Sequence, residues 1–503
     1  MKLGKPTLIY SIFSFLNTLV AFIRDIFLAA FLGTGVLADI FLVALRIPLS
    51  FKQSISDETF NSAYIPIFNT LDTSENARLK YDFARKILLM FFLLFLSIVI
   101  VAELFMPLVI KSFARGLNNI EEFDLLVKTS RVLFPYLLFI ALSAVLIGTL
   151  NAKNRFVLSA ILPAILHTSI IIAISISLLF DTSKLSLLST AVLIGGLLQI
   201  LLLSFSVEKL LWVDLFKLND NYTHVRNFVR LVWPSFLSSF LLQFNIIIGL
   251  IFASLELGAV SYLYYAERVY LLPLVLITIP ITRVMIPNLN NCLRSGSLIE
   301  AKDIQISSIK YLTILVFPAA FCLFFLSDAF FEVFFQRGEF SELSTNQSSL
   351  ALKYFLLGLP AASYISVLTP YFFAKNLAHT PLKFALIASL LCLCLIFLLY
   401  PTFGFLAIPI SISISSWLHL YLYFREHKKT KFLILDIELL GFLMRYLLLS
   451  ALLYLSLYLS DLLLIEYVLP VRLLVQVILI LTIWLTYIYY LDSDSRKFFR
   501  KWF

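Results

Sequence analysis

The stretch from Ile23 to Pro66, IRDIFLAAFLGTGVLADIFLVALRIPLSFKQSISDETFNSAYIP, constrains this chain more than any other. It is apolar enough for two membrane-spanning helices, yet it carries Arg24, Asp25, Asp39, Arg46, Lys52, Asp57 and Glu58. A charge at the centre of a bilayer costs at least ~2.5–3.5 kcal/mol. So many charges in two adjacent spans must face away from lipid. A polar pathway or binding cavity inside a helical bundle is the expectation.

The remainder of the chain agrees with a bundle. Of 503 residues, 61% are hydrophobic and 14% charged, where a soluble domain carries about 25% charge. Apolar runs of about 20 residues, the length that crosses the hydrocarbon as a helix, recur throughout. The alternating strands of about 10 residues that build outer-membrane barrels are not the pattern here. The reading is an all-α polytopic membrane protein with 14 transmembrane helices. They fall at 7–32, 36–66, 87–110, 130–151, 157–180, 186–206, 228–253, 258–290, 309–335, 349–374, 382–400, 402–424, 440–460 and 470–490. Spans 36–66 and 258–290 are over-long, and Pro48, Pro273 and Pro280 offer the bend that would fit them. The first run contains Arg24–Asp25 and is too long for a signal-peptide core, so it reads as a retained span.

The net charge of +9 needs no nucleic acid to explain it. With the N terminus inside, Lys and Arg fall on alternate loops with about a threefold excess inside, which predicts that both termini are cytoplasmic. Cys292, Cys322, Cys392 and Cys394 lie in or beside apolar helices and show no metal spacing. The hydrophilic loops are short and hold no GxxxxGK loop, so no ATPase is expected.

The chain also repeats itself at a shift of 222 residues. Ala44 and Arg46 meet Ala266 and Arg268, Arg115–Gly116 meets Arg337–Gly338, and Ala152–Lys153–Asn154 meets Ala374–Lys375–Asn376. Six helices fit one period, so the two repeats are parallel, as in transporters whose halves are related by an axis along the membrane normal. This predicts an N-lobe at 1–210, a C-lobe at 226–425, and two added helices at 436–492.

Asp39, Arg46 and Asp57 are spaced close to whole helical turns, so one continuous helix would put them on one face. Arg24 lies in the outer half of its span, with Asp25 as either its neutralising partner or a packing contact. Arg268 falls near mid-membrane, at the depth of its repeat mate Arg46. Cations converging at mid-depth suit an anionic ligand: Arg offers a fork that matches phosphate, Lys a point charge. The histidines His167, His224, His379, His419 and His427 are scattered without metal-ligand spacing and read as loop or packing residues. No metal site is expected.

At these residues the sequence resembles the MurJ/MviN family of lipid II flippases, within the multidrug/oligosaccharidyl-lipid/polysaccharide exporter superfamily. The resemblance is carried by Arg24–Pro66 with its FxxAYIP ending, FPYLLFIALSAVLIGTLNAKNRF (134–156), SYLYYAERVYLLP (261–273), FQRGEF (335–340) and AKNLAHTPLK (374–383). It implies a flippase in the bacterial plasma (inner) membrane that moves an undecaprenyl-pyrophosphate-linked glycopeptide, lipid II, by alternating access around a cationic central cavity. It implies substrate-binding positions at Arg24, Asp39, Lys52, Asp57, Ser261 and Arg268; Arg46 joins them from its depth and repeat position. It also implies a groove for the lipid tail at the last two helices, no catalytic residues, no cofactor, a monomer among membrane lipids, and coupling to a monovalent cation or to membrane potential. The chain departs from the family at Thr18, where an arginine is usual, at Lys52–Gln53, where arginines are common, and at Asp57–Glu58, which stands for a usual Glu–Gly. The alternatives are a flippase for another polysaccharide-lipid, a multidrug exporter of the same superfamily, and, less favoured, a membrane-embedded transferase using Asp57–Glu58.

Overall fold

The computed structural model describes residues 5–54, 57–71, 77–114, 116, 119–153, 155–177, 183–212, 222–375, 377, 379–430, 432, 437–464 and 467–490. Among them are eighteen α-helices and no strands. In chain order these are α1 (Lys5–Leu32), α2 (Val36–Ser54), α3 (Asp57–Thr70), α4 (Ala77–Leu104), α5 (Met106–Phe113) and α6 (Ile120–Leu133). Next come α7 (Tyr136–Ala152), α8 (Phe156–Ser177), α9 (Lys184–Ser206), α10 (Thr223–Ala253), α11 (Ala259–Pro273) and α12 (Ile279–Arg294). The last are α13 (Leu298–Phe334), α14 (Glu342–Ala374), α15 (His379–Phe403), α16 (Ala407–Lys429), α17 (Ile437–Leu463) and α18 (Leu469–Tyr490). The chain is a multi-pass membrane protein.

Eleven stretches among the described residues are long and apolar enough to cross a membrane. The expected spans 382–400 and 402–424 form one such stretch, His379–Lys429, whose helices α15 and α16 meet at a 3₁₀ turn, Gly404–Leu406. Gly404 turns there with φ 56°, which a side chain would strain. The expected span 36–66 is helical on both sides of residues 55–56, as α2 and α3, with three charged residues inside the 19 residues of α2. Asp39 and Arg46 lie on α2 and Asp57 on α3; the single-face relation of all three depends on residues 55–56, which lie outside the described residues. α2 runs through Pro48 as helix, with the Ser50 hydroxyl donating to the Arg46 carbonyl at 2.8 Å. The over-long span 258–290 contains a π-helical turn, Leu274–Thr278, set between Pro273 and Pro280. Such a turn absorbs one extra residue where a proline interrupts the ladder. Lys2, Arg115, Lys217, Lys431 and the tail cations Arg496, Lys497, Arg500 and Lys501, used in the charge count and the repeat, lie outside the described residues.

Internal contacts divide the chain into two compact units, Met1–Ser261 and Tyr262–Phe503. In the first, α1 packs along α8 and α8 along α9, while α3 and α4 pack on α7 and α10 lies against α2 and α3. Aromatic side chains fill the seam: Phe60 and Tyr64 stack at 5.0 Å, Tyr64 and Phe83 at 5.3 Å, and Phe228 of α10 meets Phe60 at 5.4 Å. The Tyr64 hydroxyl is within 2.8 Å of the Thr149 hydroxyl of α7, so its polar tip is satisfied in the core. Lys184, at the start of α9, donates to the Phe31 carbonyl at 2.9 Å and so caps the C-terminal end of α1. Lys153 and Tyr81 both hydrogen-bond Glu208, which follows α9.

In the second unit α13 is the spine, packed against α12, α14 and α17. Polar groups buried in it pair with one another: Thr313 with Tyr364 at 2.7 Å, Thr278 with Ser363 at 2.9 Å, and Gln305 with the Val367 carbonyl at 3.0 Å. α17 seats Phe442, Tyr446, Leu449 and Leu453 around Ile314. α18 is tied to α17 by Arg472 and Gln476, which donate to Asp461 at 2.6 and 3.0 Å. It is tied to α13 by the Trp484 indole, which donates to the Ile314 carbonyl at 3.1 Å. That carbonyl is available because the residue four further on is Pro318, which has no N–H to give it.

Two expectations follow. Trp484→Phe leaves a buried carbonyl unpaired and destabilises by about 1–3 kcal/mol, read as a lower midpoint of thermal unfolding in detergent. Pro318→Ala supplies the missing N–H and recovers most of that loss in the Trp484→Phe background. The second concerns pH. Lys153, then Tyr81, hold the Glu208 carboxyl below its ordinary range. A depressed carboxylate stabilises above its unfolded value of about 4.3 and loses that contribution as pH falls through the lower folded value. Glu208→Gln should therefore melt below the parent protein at pH 7, and the difference should close as the pH drops under about 4.

Candidate functional site

Arg24 sits two turns from the end of α1 and is buried. Its Nε donates to Asp25 Oδ1 at 3.1 Å, and its Nη2 pairs with the same oxygen. Asp25 is thus the neutralising partner, one of the two roles its position allowed. On the opposite edge of the guanidinium, Nη1 lies 3.0 Å from Nδ1 of His167 in the middle of α8. His167 is therefore no bystander, contrary to its reading as a loop or packing residue. A lone histidine in an apolar run gives no spacing to argue from; the only available signal was that an ionisable group at membrane depth is a site by default.

The second focus is Asp39, buried in the first turn of α2. Its Oδ2 accepts the Gly258 N–H at 2.7 Å; its Oδ1 accepts the Ser261 N–H at 2.9 Å and the Ser261 hydroxyl at 2.7 Å. These N–H groups belong to the start of α11 and have no partner within that helix. Asp39 therefore caps α11 from another helix, with the positive end of the helix dipole facing a carboxylate. Gly258 has φ 80°, which lets the backbone turn its N–H onto the oxygen. The residues joined, Asp39 and Ser261, are 222 positions apart, the period of the internal repeat.

Arg46 is half-buried on α2, two turns beyond Asp39, and Lys52 is exposed in the last turn of the same helix. A cation there also complements the negative end of the α2 dipole. Asp57 is the first residue of α3, and its side chain lies outside the described residues, as does that of Glu58. Arg268, half-buried on α11, places its guanidinium 4.6 Å from the centre of the Tyr264 ring one turn earlier, a cation–π contact that orients it. Of the seven predicted residues, the structure brings Asp39 and Ser261 into direct contact. Arg24 joins Asp25 and His167, while Arg46 and Lys52 follow Asp39 along one helix. Each of the cations Arg24, Arg46, Lys52 and Arg268 is of a type that can hold an anion, Arg as a planar fork and Lys as a point charge.

Comparison with known proteins gives a consistent result. A model of the family described as Lipid II flippase MurJ matches residues 28–478. The probable lipid II flippase MurJ of Rhizobium tropici is 32% identical over 404 residues, 79% of this chain and 76% of that protein. The corresponding protein of Rickettsia prowazekii (strain Madrid E) is 29% identical over 437 residues, 85% of each. Among solved structures, a lipid II flippase MurJ in an inward closed conformation superposes with a TM-score of 0.81 at 24% identity, covering 96% of this chain and 99% of that one. An inward-facing multidrug resistance transporter of the MATE family gives 0.69 at 14% identity, covering 84% and 98%. These two likenesses establish the fold.

Asp39→Asn keeps the shape of the α11 cap but removes its charge and turns an N–H₂ toward a donor. It should cost about 1.5–3 kcal/mol, and Ser261→Ala about 1 kcal/mol. Thermal unfolding in detergent should rank the parent above Ser261→Ala and Ser261→Ala above Asp39→Asn.

Proposed function

The chain belongs to the lipid II flippase MurJ family, and on that premise we propose that it carries lipid II, the lipid-linked peptidoglycan precursor, from the inner to the outer leaflet of the bacterial plasma membrane. It is a transporter rather than an enzyme. The head group carries a pyrophosphate, sugars and a peptide, and it cannot cross about 30 Å of hydrocarbon unaided. Arg24, Lys52 and Arg268, with Arg46, hold the pyrophosphate in a cavity open to the cytoplasm. Asp39, Asp57 and Ser261 complete the set. Neutralising the cations lets an N-lobe of residues 1–210 and a C-lobe of residues 226–425 rock to the outward-open state. The Asp39 cap on α11 is a contact that this cycle makes and breaks.

The lipid tail stays in hydrocarbon beside residues 436–492. The exposed apolar stripes on these helices, Leu448, Leu452, Leu455 and Leu459 on α17 and Leu474, Ile478, Leu481 and Leu485 on α18, support that placement. Membrane potential supplies about 2.3 kcal/mol per charge moved per 100 mV; a monovalent cation gradient is the other source of drive. The protein works as a monomer with both termini cytoplasmic, and no cofactor takes part. The observation that carries this reading is the family match over residues 28–478, which spans six of the seven site residues, the whole of α17 and the first part of α18. A multidrug exporter would line its cavity with carboxylates, whereas Asp25 and Asp39 are both engaged, on Arg24 and on α11.

The test is rescue of a bacterium depleted of its own lipid II flippase, with precursor on the outer leaflet measured directly. The parent chain should rescue, and Arg268→Ala should abolish both rescue and outward exposure at an unchanged membrane level. Normal rescue by Arg24→Ala and Arg268→Ala would end the cavity reading. A well-inserted parent chain that fails to rescue would move the assignment to another lipid-linked glycan.

A further inference from the structure

The geometry points to His167 as the residue that positions Arg24 for the pyrophosphate, an inference that rests on the reading of Arg24 as a substrate-binding cation. Asp25 takes one edge of the guanidinium, with Nε and Nη2 both on its Oδ1. His167 Nδ1 supplies a second point at 3.0 Å from Nη1, on the other edge of the plane and from another helix. α1 and α8 are packed along one another, so this contact references the cation to a second rigid element.

The chemistry of the pair also fixes the form of the histidine. A guanidinium has donors only, so Nδ1 must accept and the imidazole is the neutral tautomer with its proton on Nε2. A neutral acceptor orients Arg24 without cancelling charge. Asp25 already offsets one positive charge; a carboxylate at position 167 would set a second negative charge against the same guanidinium and weaken its field toward a pyrophosphate. Thus α8 contributes an acceptor that is uncharged, where an aspartate would give the stronger bond and the wrong field.

Binding of undecaprenyl pyrophosphate to the full-length protein in nanodiscs tests this. His167→Asn keeps an acceptor oxygen near the place of Nδ1, His167→Leu removes it, and His167→Asp adds charge. The Asn variant should bind within about threefold of the parent, and the Leu and Asp variants about tenfold or more weaker, the range expected for hydrogen bonds to charged groups. In an Arg24→Ala background the Asn and Leu variants should bind alike, because a positioning role has nothing left to position. Parental binding by His167→Leu would overturn the inference. So would a loss on His167→Leu that persists undiminished beside Arg24→Ala, which marks a merely structural side chain. Parental binding by Arg24→Ala alone would instead remove the reading of Arg24 itself, and it appears without any change at 167.

Discussion

In hydrocarbon a charge has to find its counter-group inside the protein, and this requirement organises the described polar residues. Arg24 is held by its neighbour Asp25. Asp82 of α4 pairs with Lys86 one turn on at 2.7 Å. Asp461 of α17 receives Arg472 and Gln476 of α18. Among the described residues no cation pairs with the Asp39 carboxylate; it takes the backbone N–H groups at the start of α11. That pairing matters, because a helix N-terminus offers half a charge that cannot diffuse away or change protonation. A carboxylate held this way ties two helices at a fixed register.

The spans were legible because length and apolarity follow directly from bilayer thickness. The role of Asp25 was half legible: sequence neighbours on a helix diverge by about 100°, and only side-chain geometry tells whether a long guanidinium folds back. His167 was illegible for a different reason. Its meaning lies in an atom 143 residues away, and no spacing within α8 encodes it. Conversely, Pro273 and Pro280 marked the irregularity in the helix bearing Arg268, although not that it takes the form of a π-helical turn.

The internal repeat shows how one sequence pattern can serve different physics in two places. Ala–Lys ends α7 at Lys153 and α14 at Lys375 with nearly the same backbone angles, φ −98° and −88°. The paired glycines diverge. Gly338 turns with φ 57°. Gly116 is needed for room, since a Cβ there would stand 1.8 Å from the Ser254 carbonyl oxygen. Asp39 and Ser261 stand one 222-residue period apart in the sequence and are complementary, acceptor and donor.

The contact between Trp484 and Ile314 has a further consequence. Helices α17 and α18 lie beyond the repeat, and a smooth apolar pair could slide along α13 by a turn at little cost, since lipid offers the same contacts as leucine. Pro318 removes that degeneracy, for it makes one carbonyl of α13 chemically distinct from those around it. The added hairpin is in effect addressed: a defect in the ladder of one helix is the label, and an indole on another is its reader. A protein that acquires an appendage in this way needs no apolar match tuned along the whole length of the seam, because a single hydrogen bond in a dry environment selects the register that the packing then fills.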